Sequence, residues 1–201
     1  SRQCLRTAVW LSSNLRITFI MLRRTTTVLI SLCLVQGLLT GAPVRVDKGV
    51  LDLRHIQQGD EFTLKMNGEW EFYFNKFLYG EPGRISDTLT PDCYGTVPGY
   101  WAEYSIGGKR LPRFGYGTYR AVILLPAGYR DRLGFDMPVF DSSYEIAVNG
   151  VTTARNGTPA RSRAESIPAY EPLFFSYMPK SDTLELLIRV SNYEHRRGGF
   201  W

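Results

Sequence analysis

From residue 44 onward, apolar and polar side chains alternate with a period of two. Tyr144, Ile146 and Val148 fall on one face of a run whose other face carries Glu145 and Ala147, and Asn149-Gly150 follows directly. Leu184, Leu186, Ile188 and Val190 alternate in the same way with Glu185, Leu187 and Arg189. Because successive side chains of a strand point to opposite faces, each run presents an apolar face that needs a second layer to cover it. Tyr116–Pro126 has a different pattern. It is a continuous apolar, β-branched and aromatic stretch, entered through glycine and stopped by proline, and it predicts a buried strand around which the others are arranged.

Further alternating runs predict more strands. Phe62, Leu64 and Met66 alternate with Glu61, Thr63 and Lys65, and Trp70, Phe72 and Phe74 with Glu69, Glu71 and Tyr73. Asn67-Gly68 lies between these two runs and predicts a hairpin, as Asn149-Gly150 does before Val151–Ala154. Shorter candidates are Val50 or Leu51 with Leu53, Tyr94–Val97, Leu133–Met137 and Leu173–Tyr177. Gly80–Pro91, Ser105–Arg113 and Asn156–Glu165 are polar and turn-rich and predict loops, the last two basic. About nine short strands without a helical pattern long enough for a crossover predict an all-β protein. The expected form is an antiparallel β-sandwich of jelly-roll type spanning residues 44–201.

Charge separates the start of the chain from the rest. Residues 1–43 hold Arg2, Arg6, Arg16, Arg23 and Arg24 and no acid, leaving 19 basic against 19 acidic residues for 44–201. A neutral body argues against nucleic acid as a partner, since that needs a concentrated positive surface. Met21-Leu22-Arg23-Arg24 followed by the apolar Val28–Leu39 has the form of a secretory signal. Its core of roughly a dozen residues is short of the ~20 a membrane span needs. Residues 1–43 are therefore read as a leader, with Met21 as initiator and the signal at about 21–42. Cys4 and Cys33 fall within it, so an exported body would keep Cys93 alone and have no internal disulfide.

Catalytic signatures are missing from the sequence. It has no phosphate loop, no Gly-x-Ser-x-Gly and no His-Glu-x-x-His, and His55 and His195 are its two histidines. No enzyme activity, metal or cofactor is expected of residues 44–201. Aromatic, arginine and carboxylate side chains are instead plentiful at strand ends and in loops. Rings stack on the apolar faces of sugars, and arginine and carboxylate hold hydroxyls, so this palette suits a small polyol ligand. The candidate ligand-binding residues are Trp101, Arg120, Asp141 and Tyr144, together with Glu171, His195, Arg196 and Trp201. Arg113 and Tyr116 share the palette. Trp101 and Tyr116 could equally be core or rim, and Arg120, inside a buried strand, could pair with a carboxylate such as Asp141.

Five motifs in order carry a family resemblance: Gly68-Glu69-Trp70-Glu71-Phe72-Tyr73, Val97-Pro98-Gly99-Tyr100-Trp101, Gly115–Arg120, Tyr144–Gly150, and Val190-Ser191-Asn192 continuing to His195–Trp201. The series resembles the extracellular jelly-roll sensor domain of bacterial seven-transmembrane receptors with diverse intracellular signalling modules. Its middle section is also similar to the sugar-binding β-domain of family 2 glycoside hydrolases. Both are galactose-binding-like jelly rolls. The first resemblance implies an exported sensor at the periplasmic or extracellular face, with a small ligand, carbohydrate the leading class. Membrane-spanning and signalling domains would then follow in the same chain. The second implies a non-catalytic accessory domain of a glycosidase. A structural docking module without a small ligand is the third possibility.

Overall fold

The computed structural model describes residues 44–57, 62–82, 89–140 and 142–199. The expected leader, Asp141, Trp201 and part of the expected Gly80–Pro91 loop lie outside these residues. Eleven strands run in chain order: β1 (Val50–Asp52), β2 (Gly68–Phe74), β3 (Cys93–Val97), β4 (Ser105–Ile106), β5 (Lys109–Arg110), β6 (Gly115–Leu124), β7 (Leu133–Met137), β8 (Ser143–Val148), β9 (Val151–Asn156), β10 (Leu173–Tyr177) and β11 (Thr183–Asn192). A single turn of 3₁₀ helix, Trp101–Glu103, is the one helical element among the described residues.

Seven strands form one sheet in the order β3-β2-β6-β11-β8-β9, with β1 also on β6. The apolar stretch singled out in the sequence becomes β6 at its centre. β11 pairs along the length of β6, while β2 and β1 share its other edge. All these pairings are antiparallel except that of β1, which runs parallel to Val122–Leu124. The second layer is a two-stranded antiparallel sheet of β7 and β10. Its inward side chains, Leu133, Phe135 and Met137 with Leu173, Phe175 and Tyr177, pack on the core, and the Phe135 and Phe175 rings stack at 4.8 Å. The architecture is an all-β antiparallel sandwich with unequal layers.

The predicted alternation places the core. Tyr119, Ala121 and Ile123 of β6 lie beside Ile188, Leu186 and Leu184 of β11, flanked by Trp70, Phe72, Tyr144, Ile146 and Val148, all buried. Full burial of one such aliphatic or aromatic side chain contributes about 1.5–3 kcal/mol. The opposite face of the sheet is polar, yet it is buried too. Glu185, Arg189, Arg120 and Thr118 are all at most 5% exposed. The segment after β2 covers them. Leu78 N donates to Thr118 Oγ1, Thr118 Oγ1 donates to the Lys76 carbonyl, Arg189 Nη1 donates to the Leu78 carbonyl, and the Arg189 guanidinium lies 4.6 Å from the Tyr79 ring. A backbone strap with free carbonyls and amides can cover a charged sheet face where apolar side chains could not.

Two local expectations are corrected. Asn67-Gly68 does not close a hairpin, because residues 62–67 form no strand. The N-terminal arm occupies the expected place: Val46 N donates to the Asn67 carbonyl and Glu69 N to the Val46 carbonyl. A Cβ on Gly68 would stand 2.0 Å from the Val46 carbonyl oxygen, so the glycine serves this close approach rather than a turn. Ser105–Arg113 is not wholly a loop, since β4 and β5 pair within it across Gly107-Gly108. The Asn149-Gly150 hairpin between β8 and β9 forms as predicted.

Candidate functional site

One end of the sandwich, where β6 begins and β11 finishes, gathers three segments distant in sequence. They are the turn at Tyr100–Tyr104, the residues following β5 up to Arg113, and the stretch after Asn192. Two buried side chains tie them together. Trp101 is fully buried, and its Nε1 donates to the carbonyls of Pro112 and Arg113, each at 3.1 Å. Its backbone N donates to the Gly198 carbonyl at 2.8 Å. Asn192, 2% exposed, donates through Nδ2 to the carbonyls of Arg113 (3.0 Å), His195 (2.7 Å) and Arg197 (3.3 Å), and its Oδ1 accepts from His195 N. Gly198 must be small because a Cβ there would stand 2.2 Å from Trp101 Nε1. The indole therefore acts as a structural post, and the loop backbones take fixed positions around it.

Above this frame is an open groove of about 360 Å³, lined by Tyr100, Ala102, Glu103, Arg110, Arg113, Arg196 and Arg197. Its volume lies in the range of small-ligand sites, roughly 300–1,000 Å³. Arg110, Arg113 and Arg196 are exposed and make no side-chain ion pair among the described residues. The Arg197 guanidinium stands 5.5 Å from the centre of the Tyr100 ring. Four guanidinium groups against the single carboxylate of Glu103 make this a strongly positive concavity on a neutral body.

Of the residues selected from sequence, the structure brings Trp101, His195 and Arg196 to this end of the molecule, in different roles. Arg196 lines the groove. Trp101 is not a stacking platform: its ring is enclosed by the core and packs against Phe72 and Phe74 at 5.9 and 6.3 Å. His195 holds the loop through its backbone, and its Nδ1 accepts from Arg197 N at 3.3 Å. Arg113 lines the groove as well. Tyr116 is half-buried against Phe77 at 4.9 Å.

Three selections lie away from this groove. Arg120 lies on the covered polar face of the sheet, where its partners are Glu71 and Glu185, each at 2.7 Å. Burial opposes its charge, but the two carboxylates outweigh burial and hold its proton above the ordinary arginine value. Tyr144 is fully buried in the core, ring edge to face with Phe140, where burial raises its phenol. Glu171 is exposed and does not line the groove; its backbone carbonyl accepts from Asn156 Nδ2 at 2.5 Å. Asp141 and Trp201 lie outside the described residues. Asn156, 5% exposed, is held in place by its bond to the Glu171 carbonyl.

Tyr100, Glu103, Arg110 and Arg197 are groove residues that the sequence reading did not select. The basic character of the Ser105–Arg113 loop and the Arg196-Arg197 pair were visible, but their meeting was not. Among the described residues, no group of three or more His, Cys, Asp and Glu side chains is placed to hold a metal ion. No helix among them is long and apolar enough to cross a membrane.

No protein-family model and no curated protein sequence matches this chain. Among solved structures it is similar to the β-glucuronidase of Ruminococcus gnavus, 16% identical over 68% of this chain and 22% of that one, with a TM-score of 0.46. The same enzyme in complex with D-glucuronic acid gives 16%, 68%, 23% and 0.46. The β-glucuronidase of Faecalibacterium prausnitzii gives 16%, 68%, 22% and 0.43. The chain spans less than a quarter of the length of these enzymes, and a likeness of this depth carries no argument about its activity.

Proposed function

We propose that residues 44–201 form a non-catalytic module that binds a small ligand, a carbohydrate, in the arginine-lined groove. The observation that carries this reading is the frame under the groove. Trp101 and Asn192 fix three separate loop backbones from below, so that Arg113 and Arg196 converge on the groove with no side-chain ion pair among the described residues. Preorganised donors lose little entropy when a ligand arrives. Guanidinium forks and the Glu103 carboxylate complement sugar hydroxyls, and the Tyr100 ring offers a surface for an apolar sugar face.

The setting we propose is an exported sensor domain of a bacterial membrane signalling receptor. The signal-like leader and the five ordered motifs support this setting. An accessory domain of a secreted glycosidase is the second reading, supported by the sequence resemblance of the Thr118–Asn192 region. The full-length product separates the two. A receptor has about seven downstream apolar runs of ~20 residues, whereas a glycosidase has a soluble barrel with two glutamates at strand ends.

Ligand binding itself is tested by a thermal-shift screen of the purified protein against mono- and oligosaccharides. A ligand held only by the native state, at a hundred times its dissociation constant, adds about 2.7 kcal/mol and raises the melting temperature. A hit supports the module. A folded protein that no saccharide stabilises would instead be a docking module.

A further inference from the structure

We infer that the ligand of the groove is an acidic saccharide, one whose carboxylate or sulfate groups are held by Arg110, Arg113 and Arg196. The inference rests on the reading of the groove as a carbohydrate site and names the class of sugar it takes.

The use of arginine elsewhere in the molecule sets the comparison. Arg54, Arg120, Arg130, Arg155, Arg163 and Arg189 each hold a carboxylate of the same chain within salt-bridge distance. Lysine and arginine together equal aspartate and glutamate in number over 44–201. The groove arginines are arranged differently from these six. Three exposed guanidinium groups without ion-pair partners among the described residues share one concavity with a fourth and face a single glutamate. Like charges held together repel, and an arriving anion relieves that repulsion while gaining their combined attraction. The planar guanidinium fork matches carboxylate and sulfate oxygens two at a time, a fit that a neutral hydroxyl cannot use fully.

The surroundings argue against a bare ion and against a nucleic acid as the primary ligand. A volume of about 360 Å³ exceeds what an inorganic anion fills, and Glu103 would repel one while accepting from sugar hydroxyls. The body carries as many acids as bases, whereas a nucleic acid backbone calls for a concentrated excess of positive charge.

The test is calorimetric titration of the purified protein with four probes: a galacturonate oligosaccharide, a chondroitin sulfate oligosaccharide, a neutral galacto-oligosaccharide and inorganic sulfate. One or both acidic saccharides should bind, and more tightly than the neutral sugar and the free ion. Their affinity should fall steeply with salt, as the screening length contracts from about 10 Å at 0.1 M to about 3 Å at 1 M. Arg113→Ala and Arg196→Ala should each weaken binding about tenfold or more, with the melting temperature unchanged because both side chains are exposed. Arg163→Ala, which loses only a surface ion pair with Glu194, should bind as the parent does. Binding by galacturonate alone identifies the carboxylate as the feature read, and binding by chondroitin sulfate alone identifies the sulfate. Equal or better binding of the neutral sugar, or indifference to Arg113→Ala and Arg196→Ala, overturns the acidic preference and leaves the carbohydrate reading standing. A folded protein that binds none of the saccharides overturns both, whether or not it binds inorganic sulfate.

Discussion

Arg120 on the central strand donates its Nε to Glu185 Oε1 of the neighbouring strand at 2.7 Å, with the two side chains 6% and 1% exposed. Glu71, directly opposite Arg120 on β2, accepts from its Nη1. This pair holds the middle of the sheet under the backbone strap, remote from the groove in role. Removing Arg120 leaves the buried Glu185 carboxylate without its ion-pair partner. Arg120→Ala should therefore destabilise the fold by about 3–5 kcal/mol, read by urea denaturation. Saccharide affinity of the fraction that remains folded should stay at the parent level.

Trp101 makes the opposite prediction, because it underlies the groove. Trp101→Phe keeps a ring in the core but removes the Nε1 donor shared by the Pro112 and Arg113 carbonyls. Asn192 Nδ2 still donates to the Arg113 carbonyl, but the Pro112 oxygen loses its donor, which should cost about 1–3 kcal/mol. Saccharide binding should weaken as well, through the loosened position of Arg113. Stability and titration measured on the same variant separate this behaviour from that of Arg120.

Glu145 gives a pH dependence. Burial acts to raise its carboxyl, but hydrogen bonds from Arg189 and Arg155 outweigh burial and hold it below the usual value of 4.5. A carboxylate depressed in the folded state contributes stability that is present above the unfolded value and is lost as pH falls through the folded one. Acidification should therefore begin to destabilise the protein near pH 4.5 and continue below it. The slope of melting temperature against pH in that window should be shallower in Glu145→Gln than in the parent.

Cys93 packs half-buried against the core, and burial, assisted by the nearby Asp92 carboxylate, pushes its thiol up to about 11. The thiolate is the reactive form. Alkylation followed by peptide mapping at neutral pH should find Cys93 essentially unmodified in the folded protein and modified once urea unfolds it.

The sheet was legible in the sequence because the signal for a half-buried strand is local. β8, β11 and the apolar face of β2 follow from alternation, and β6 from its continuous apolar run. The Asn67-Gly68 hairpin was misread because the same dipeptide also permits the close approach of another backbone, here at Val46, and the sequence does not say which. Arg120 and Tyr144 looked like ligand residues because polar chemistry inside a strand does not reveal what covers the face it points to. Glu71, Glu185 and the strap came from elsewhere in the chain. The groove was legible only in fragments. Arg113 and Arg196 are far apart in sequence and meet through bonds to Trp101 and Asn192, a relationship that only the folded chain contains.

The most direct test of the groove as the ligand site is a hydrogen-exchange map of the protein with and without a saturating acidic saccharide. Protection gathered at residues 100–104, 110–113 and 195–198, with the strap and the β8–β9 hairpin unchanged, is the predicted result. Protection confined to the β7–β10 layer or the β9 edge, with none at these three segments, would contradict it.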